Sequence, residues 1–447
     1  MLIRQIKQPK ADSRHNSPVS DRDETRLPAW IPLMVVILAA GARIAWLNAV
    51  PTQPTTDFAW YFERAIGLSQ GEGYAVNGVA TAYWPAGYPY VLSLVLTAFG
   101  ATVEVARNFN AILTTLIALI ACSLTFRITG SKMGAAVVGV ALALHPTMLA
   151  YSGILASEPL FAVATLLSIW MIVRATRSRF AWFASGLMAG LGTMVRPQAV
   201  LQPLLSLVGL WPVAPNSSRN KPKPWVFLIG SLIGLTLALA PITMRNKNLF
   251  GEFLLVSTNG GDNLWIGHTE GADGRYRTPP GKPDTPMNEL ANDKRTKSEA
   301  MTAIQADPSR SLALIPTKLQ ATFLSGTDAP YWAFQFTYDK LETPGMDTRR
   351  ELFLAFKQIN IGVTIGLLLT AGVAFVLSLG GDRGRRMAWI CAVQIAWVAL
   401  VTSVFFGNGR FGFVTIPFQV MLIGGFVASL QEWIGKQPLP DPWDVTE

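Results

Sequence analysis

Two carboxylates and three guanidiniums are the side chains of this chain best suited to act together. Asp57 lies a few residues beyond the first long apolar run, in a segment rich in aromatics and glycine. Glu158 opens another apolar run in Ser157–Glu158–Pro159. Arg196, Arg245 and Arg410 each stand near the end of an apolar run, beside Pro, Asn or Gly. A carboxylate kept at the level of a membrane surface is costly, which makes it a functional candidate. Near a hydroxyl it can take a proton. Guanidinium suits a phosphate or diphosphate by charge and by bidentate geometry. Each group also has a plainer reading. Glu158 fits a helix start equally well, with Ser157 as N-cap and Pro159 early in the helix. Asp57 fits a solvated loop acid or a cap. The arginines fit anchors that snorkel to lipid headgroups.

Other chemistries have little support. The chain has no phosphate-binding glycine loop, no dinucleotide fingerprint, no nucleophile elbow and no H-E-x-x-H zinc motif. His15, His145 and His268 are all its histidines. Cys122 and Cys391 both fall inside apolar runs and read as small buried hydrophobes. The net charge of +9 is spread over the segments between runs, which argues against nucleic acid as a partner.

The elements that must position these groups are membrane spans. Half of the 447 residues are hydrophobic and 15% are charged, so an all-α polytopic membrane protein is expected. Ten spans are predicted: 29–50, 105–126, 134–150, 159–173, 180–195, 199–213, 225–241, 354–379, 387–406 and 413–434. Residues 1–28 read as a disordered cytoplasmic extension and 435–447 as a cytoplasmic tail, with no large soluble domain expected after the last span. The units in between are an N-terminal transmembrane module (29–241) whose first outer loop is 51–104, an outer-face loop domain (242–353) and the C-terminal spans (354–434). Basic residues concentrate in the segments placed inside. The short segments placed outside hold Arg64, Arg107, Arg196 and Arg410. The expected site is a bacterial cytoplasmic (inner) membrane with both termini inside. The apolar run 87–100 is short for a span and reads as a re-entrant or interfacial helix. Residues 288–306 read as an amphipathic helix stopped at Asp307–Pro308. Arg43, inside the first span, either pairs with one of the acids or snorkels outward.

Several stretches, in this order, carry a resemblance. They are Asp57 with AIGLSQGEGY (65–74) and TAYWPAGYP (81–89); LHP (144–146) with SEPL (157–160); RP (196–197), PITMRN (241–246), FG (250–251) and STNGGDNLWIG (257–267); and GNGRF (407–411). With them the chain resembles the GT-C superfamily of membrane glycosyltransferases, specifically the bacterial group related to aminoarabinose transferases and protein O-mannosyltransferases. The resemblance implies a GT-C-like bundle with interfacial helices in its first outer loop. It implies transfer of a sugar from a polyprenyl-phosphate carrier to a lipid, glycan or protein acceptor outside the cytoplasm.

Under that resemblance Asp57 is the general base of an inverting transfer, Glu158 a second catalytic acid, and Arg196, Arg245 and Arg410 bind the lipid phosphate. Tyr61, Tyr83, Trp84, Tyr88, Asn259, Asn263 and Trp265 are the expected substrate-binding residues. A divalent metal (Mg or Mn) between Asp57 and Glu158 is left open. Two positions depart from the pattern: Gly412 and Trp84 stand where relatives often carry a basic residue. A lipid-linked glycan transporter or flippase, a non-catalytic envelope-assembly subunit, and a glycan polymerase or ligase are the rival readings. A transporter would place ionisable residues at mid-membrane on several spans.

Overall fold

The computed structural model describes residues 26–174, 178–210, 224–280, 288–335 and 347–435. The predicted N-terminal extension up to residue 25, the tail from 436 and the end of the predicted span at 211–213 lie outside the described residues.

The first apolar run forms α1 (Trp30–Ala49). The first connecting segment holds α2 (Thr56–Ser69), a small antiparallel hairpin of β1 (Ala75–Val76) and β2 (Val79–Ala80), and α3 (Gly87–Phe99). Then α4 (Val103–Thr129) starts at Thr102, whose hydroxyl accepts from the Val105 N–H, and stops at Gly130 in the left-handed region at φ 72. A broken pair follows, α5 (Lys132–Leu144) and α6 (Pro146–Gly153), and then α7 (Glu158–Arg174) and α8 (Arg179–Val195). A 3-10 turn (Pro197–Leu201) leads into α9 (Gln202–Leu210), and α10 (Pro224–Phe250) precedes the long connecting segment. That segment holds α11 (Gly260–His268), α12 (Glu289–Ala306), α13 (Pro308–Ala313), α14 (Ile315–Phe323) and α15 (Asp328–Phe334). Three helices close the chain: α16 (Asp347–Ser378), α17 (Asp382–Val404) and α18 (Ile416–Ile434).

Each of the ten predicted spans therefore falls mostly on helix over its described residues, with non-helical residues at several ends and at His145. Among the described residues six helices are long and apolar enough to cross a membrane (α1, α4, α10, α16, α17 and the stretch ending in α18), and a seventh if the broken pair counts as one. The chain is a multi-pass membrane protein. The run 87–100 is the 13-residue α3, too short to join that set. The amphipathic helix runs over Glu289–Ala306 and ends at Asp307, whose carboxylate then caps the next helix by accepting from the Arg310 N–H.

Three expectations change. The span 134–150 bends by 50° at His145–Pro146. Proline lacks an N–H and disfavours helical backbone in the residue before it, so the ladder breaks there. The freed carbonyls must be satisfied inside the protein. Arg43 satisfies them: Nη1 donates to Ala143 O at 2.7 Å and Nη2 to Leu142 O at 3.3 Å, while Nε donates to the Thr114 hydroxyl at 3.0 Å. Arg43 is 1% exposed, so it neither pairs with an acid nor snorkels. Finally, α10 continues through Pro241 to Phe250, which puts Arg245 on a helix rather than beyond one.

The tightest packing joins α8 and α10. Gly186 and Gly190 of α8 face α10, and Gly234 of α10 faces α8. A Cβ on Gly186 would overlap the Ser231 carbonyl, and one on Gly234 would overlap the Phe183 carbonyl. Small residues four apart let two backbones touch in a bundle, and both helices carry that spacing (Gly186 and Gly190; Gly230 and Gly234). This contact sets the end of α8, where Arg196 follows.

Candidate active site

Four of the five groups converge. Asp57 sits in the first turn of α2, and Thr56 before it takes φ 52, a left-handed conformation uncommon for a β-branched residue. The Thr56 hydroxyl donates to Asp57 Oδ1 at 3.0 Å. Glu158 opens α7, and Arg196 follows α8. Arg410 comes from the 407–412 turn before α18. Arg410 Nη1 donates to Asp57 Oδ2 at 2.6 Å, and its Nε donates to Glu158 Oε1 at 2.8 Å. Arg196 Nη2 meets the same Glu158 oxygen at 2.6 Å.

The two acids have different surroundings. Glu158 is the first-turn acid of α7, and its side chain is also fully buried between two guanidiniums, so it both starts the helix and joins the cluster. The Asp57 side chain keeps 17% exposure. Burial pushes the Asp57 carboxyl up, but the Arg410 guanidinium outweighs it and holds the group below the usual carboxylate range, with help from Thr56. Asp57 is ionised at neutral pH and reachable.

The turn that carries Arg410 is built on glycine because it lies flat against other backbone. A Cβ on Gly407 would overlap Lys318 and one on Gly412 would overlap the Thr322 carbonyl, both in α14. Asn408 Oδ1 accepts from the Arg410 N–H at 3.0 Å. Gly407 N–H donates to Gly274 O at 2.8 Å, which ties the turn to the long connecting segment.

Arg245 stands apart from this cluster. Its Nη2 donates to Tyr74 O at 2.9 Å and its guanidinium lies over the Tyr74 ring. It lines an apolar groove of about 1290 Å³ between α3, α7, α8 and α10, with Tyr90, Leu94, Leu160, Leu167 and Val195 among the walls. Leu160 lies two residues from Glu158, and Val195 precedes Arg196, so the groove opens beside the cluster.

The aromatic residues divide. Tyr61 is buried under the cluster, where burial and then the charge of Asp57 push its phenol up. Trp84 packs edge-on against Trp60, Tyr61 and Tyr83. The Tyr83 hydroxyl donates to Asp262 Oδ2 at 2.6 Å. Tyr88 is fully buried, and its hydroxyl donates to Asn110 Oδ1 at 3.0 Å. Asn110 in turn donates to Ile154 O and Ala156 O, so Tyr88 braces the backbone leading to Glu158 and is not a surface that substrate reaches. Trp265 is covered by the Arg277 guanidinium at 4.0 Å and donates to Glu299, so it serves the long segment's own packing. Asn259 Oδ1 accepts from the Ser257 hydroxyl, and Asn263 is half-buried on α11.

Sequence reasoning missed the groups that join the two connecting segments. Glu289 accepts from the Thr81 hydroxyl at 2.7 Å and from the Ala82 N–H at 2.6 Å, and burial pushes its carboxyl up. Asp262 takes Tyr83 on one oxygen and Asn292 on the other. Asp262 fell inside the stretch 257–267 and Glu289 inside the expected helix 288–306, but nothing local marked either acid as a link between segments.

A divalent metal between Asp57 and Glu158 does not fit this arrangement. Asp57 Oδ2 and Glu158 Oε1 are both bound to the Arg410 guanidinium, which occupies the space between the two acids, and a metal cation there would meet like charge. Among the described residues no group of three His, Cys, Asp or Glu side chains could hold a metal ion.

Residues 84–243 match the family model of dolichyl-phosphate-mannose-protein mannosyltransferases. That stretch includes Glu158 and Arg196 and leaves out Asp57, Arg245 and Arg410. No curated protein sequence matches the chain. Among solved structures, the fold is similar to that of an oligosaccharyltransferase from Archaeoglobus fulgidus in complex with zinc and sulfate, at TM-score 0.53 and 11% identity, over 90% of this chain and 49% of that one. A second likeness is to the archaeal oligosaccharyltransferase AglB of the same organism, in complex with an inhibitory peptide and a dolichol-phosphate. It has TM-score 0.53 and 14% identity, over 91% of this chain and 51% of that one. The chain thus spans about half the length of the proteins whose fold it shares. The chain therefore shares the fold of these oligosaccharyltransferases, and residues 84–243 resemble the mannosyltransferase family.

Proposed function

We propose that this chain moves a sugar from a polyprenyl-phosphate carrier to a hydroxyl of a lipid, glycan or protein acceptor, on the outer face of the cytoplasmic membrane, with inversion. The observation that carries the reading is the pairing of one reachable carboxylate with a guanidinium cluster, beside helices that also wall an apolar groove. The groove suits an isoprenoid chain, and Arg245 in its wall and Arg196 beside it suit the phosphate at the chain's end.

In the reaction the acceptor hydroxyl gives its proton to Asp57 as its oxygen bonds to the anomeric carbon. The bond from that carbon to the phosphate oxygen breaks, and the electron pair leaves with polyprenyl phosphate. The charge growing there meets Arg196, Arg245 and Arg410. Arg410 is then shared between Asp57 and the departing phosphate. As its attraction to the phosphate grows, its hold on Asp57 weakens and the carboxylate becomes a stronger base. Glu158 fixes the two guanidiniums rather than attacking the sugar, since it is fully buried and already bound to both. One displacement with one base inverts the anomeric centre, whereas retention needs a second carboxylate free to attack.

The test uses membranes carrying the full chain and radiolabelled sugars on polyprenyl phosphate. The expected result is label passing to an acceptor, with the same sugar phosphate lacking the polyprenyl tail a poor donor. Folded protein that moves label from none of the polyprenyl donors, or that uses the tail-free donor equally well, refutes the proposal.

A further inference from the structure

Asp328, at the start of α15, is a third carboxylate at this site and has no part in the mechanism above. Its Oδ2 accepts from the Ser325 hydroxyl at 2.8 Å. Oδ2 lies so close to Gly409 that a Cβ there would overlap it, and the Gly409 backbone N–H and the Arg410 charge both act on the Asp328 carboxyl. Gly409 immediately precedes Arg410. The turn is therefore held at successive points: Gly407 by Gly274, Asn408 by the Thr322 hydroxyl at 3.2 Å, and Gly409 by Asp328. Gly412 lies against the Thr322 carbonyl.

Behind this turn is a small chamber of mixed lining that includes His145, Thr147, Tyr151, Asp328, Asn360 and Gln419.

We propose that Asp328 is a positioning residue: it pins Gly409 so that the next residue, Arg410, meets Asp57 and Glu158 in one geometry. The inference rests on the reading of Asp57 and Arg410 as the working pair. The role needs hydrogen-bond acceptance from Ser325 and Gly409 rather than charge. An amide oxygen can do the same.

The test reads Asp57 directly. A water-soluble carbodiimide with an amine labels protonated carboxyls, and mass spectrometry of the full-length protein in detergent gives the pH at which Asp57 becomes half-labelled. Asp328→Asn should keep the wild-type midpoint. Asp328→Ala should raise it by about 1 unit or more, the shift expected when an aspartate loses a guanidinium neighbour. Gly409→Ala, which keeps Asp328 but pushes the turn off it, should raise it likewise, and it decides the matter if Asp328→Ala does not fold. In the transfer assay the two shifted variants should lose kcat by about 10²-fold, the scale of an ångström-sized misplacement, with little change in KM.

A wild-type midpoint in Asp328→Ala, or in Gly409→Ala, overturns the proposal. So does Asp328→Asn behaving like Asp328→Ala, because that would make charge the cause. If the labelling midpoints shift as expected while wild-type protein transfers no sugar, the positioning role stands and the proposed function falls.

Discussion

Replacing Arg410 with alanine separates the three things that this guanidinium does. It is 12% exposed and bridges two acids, one of them fully buried. Breaking a buried pair by removing one partner costs about 3–5 kcal/mol, because the other charge is left behind. Here Glu158 keeps Arg196, so the cost should lie at the lower end of that range. Asp57 then keeps the Thr56 hydroxyl and its own backbone N–H among the contacts that lower it, while the burial that raises it remains. Its pKa should rise by about 1–3 units, the usual effect of an adjacent arginine.

The sign follows from linkage. A carboxyl whose folded pKa is depressed contributes stability above its unfolded pKa and loses it as pH falls through the folded value. Wild type should therefore hold this contribution in full above about pH 3.9, the unfolded reference for aspartate, and lose it as pH falls further. Arg410→Ala should lose the contribution altogether. Two assays report it. The acid limb of kcat/KM for transfer from a polyprenyl-phosphate sugar should move up by about 1–3 pH units. On the plateau kcat should fall by about 10²–10³-fold, the loss typical of one electrostatic donor to a developing anion. An Arg410→Ala protein that folds, keeps its acid limb and keeps its plateau rate would falsify the bridge as described.

Two further predictions concern the framework. Gly186→Ala should destabilise the α8–α10 contact by about 1–3 kcal/mol or more, because its Cβ overlaps a backbone carbonyl that cannot turn aside. Gly362→Ala on α16, where a Cβ meets nothing within 4 Å, is the control and should leave the thermal midpoint in detergent unchanged. Lys318 is fully buried, donates to Ser403 O at 3.1 Å, and is pulled down by burial to about 8. Between pH 8 and its ordinary 10.5 the unfolded chain holds a proton that the folded chain has released, so wild-type stability should rise with pH across that window. Lys318→Met should remove that rise in a series of thermal melts; an unchanged slope would contradict it.

Much of the framework was legible because membrane spans announce themselves locally. Length and apolarity located the helices, and the two Gly-x-x-x-Gly spacings that lock α8 to α10 stand in plain sight at 186–190 and 230–234. Proline punctuation was less reliable. Pro146 bends its helix, yet Pro241 sits within one, and local sequence alone does not separate the two outcomes. At the site, residue type nominated Asp57, Glu158, Arg196 and Arg410. Which acid is buried and which is reachable depends on contacts between residues 252 and 353 positions apart, which no local pattern encodes. The same holds for Arg43, whose partners are carbonyls about 100 residues away, and for Asp328 and Glu289, which look like ordinary helix-start acids. For Tyr88 and Trp265, an aromatic near the site can face a substrate or brace a backbone, and the hydrogen-bond partners that bear on this lie far off in sequence.

The central claim is that Asp57 takes the acceptor's proton, and Asp57→Asn tests it most directly. The amide keeps the shape and can still accept from Arg410, so the protein should fold and bind the lipid donor as wild type does. In membranes with matched amounts of the two proteins, transfer of radiolabelled sugar from polyprenyl phosphate should drop by at least about 10²-fold, the contribution of a positioned base. Transfer at the wild-type rate would contradict the account.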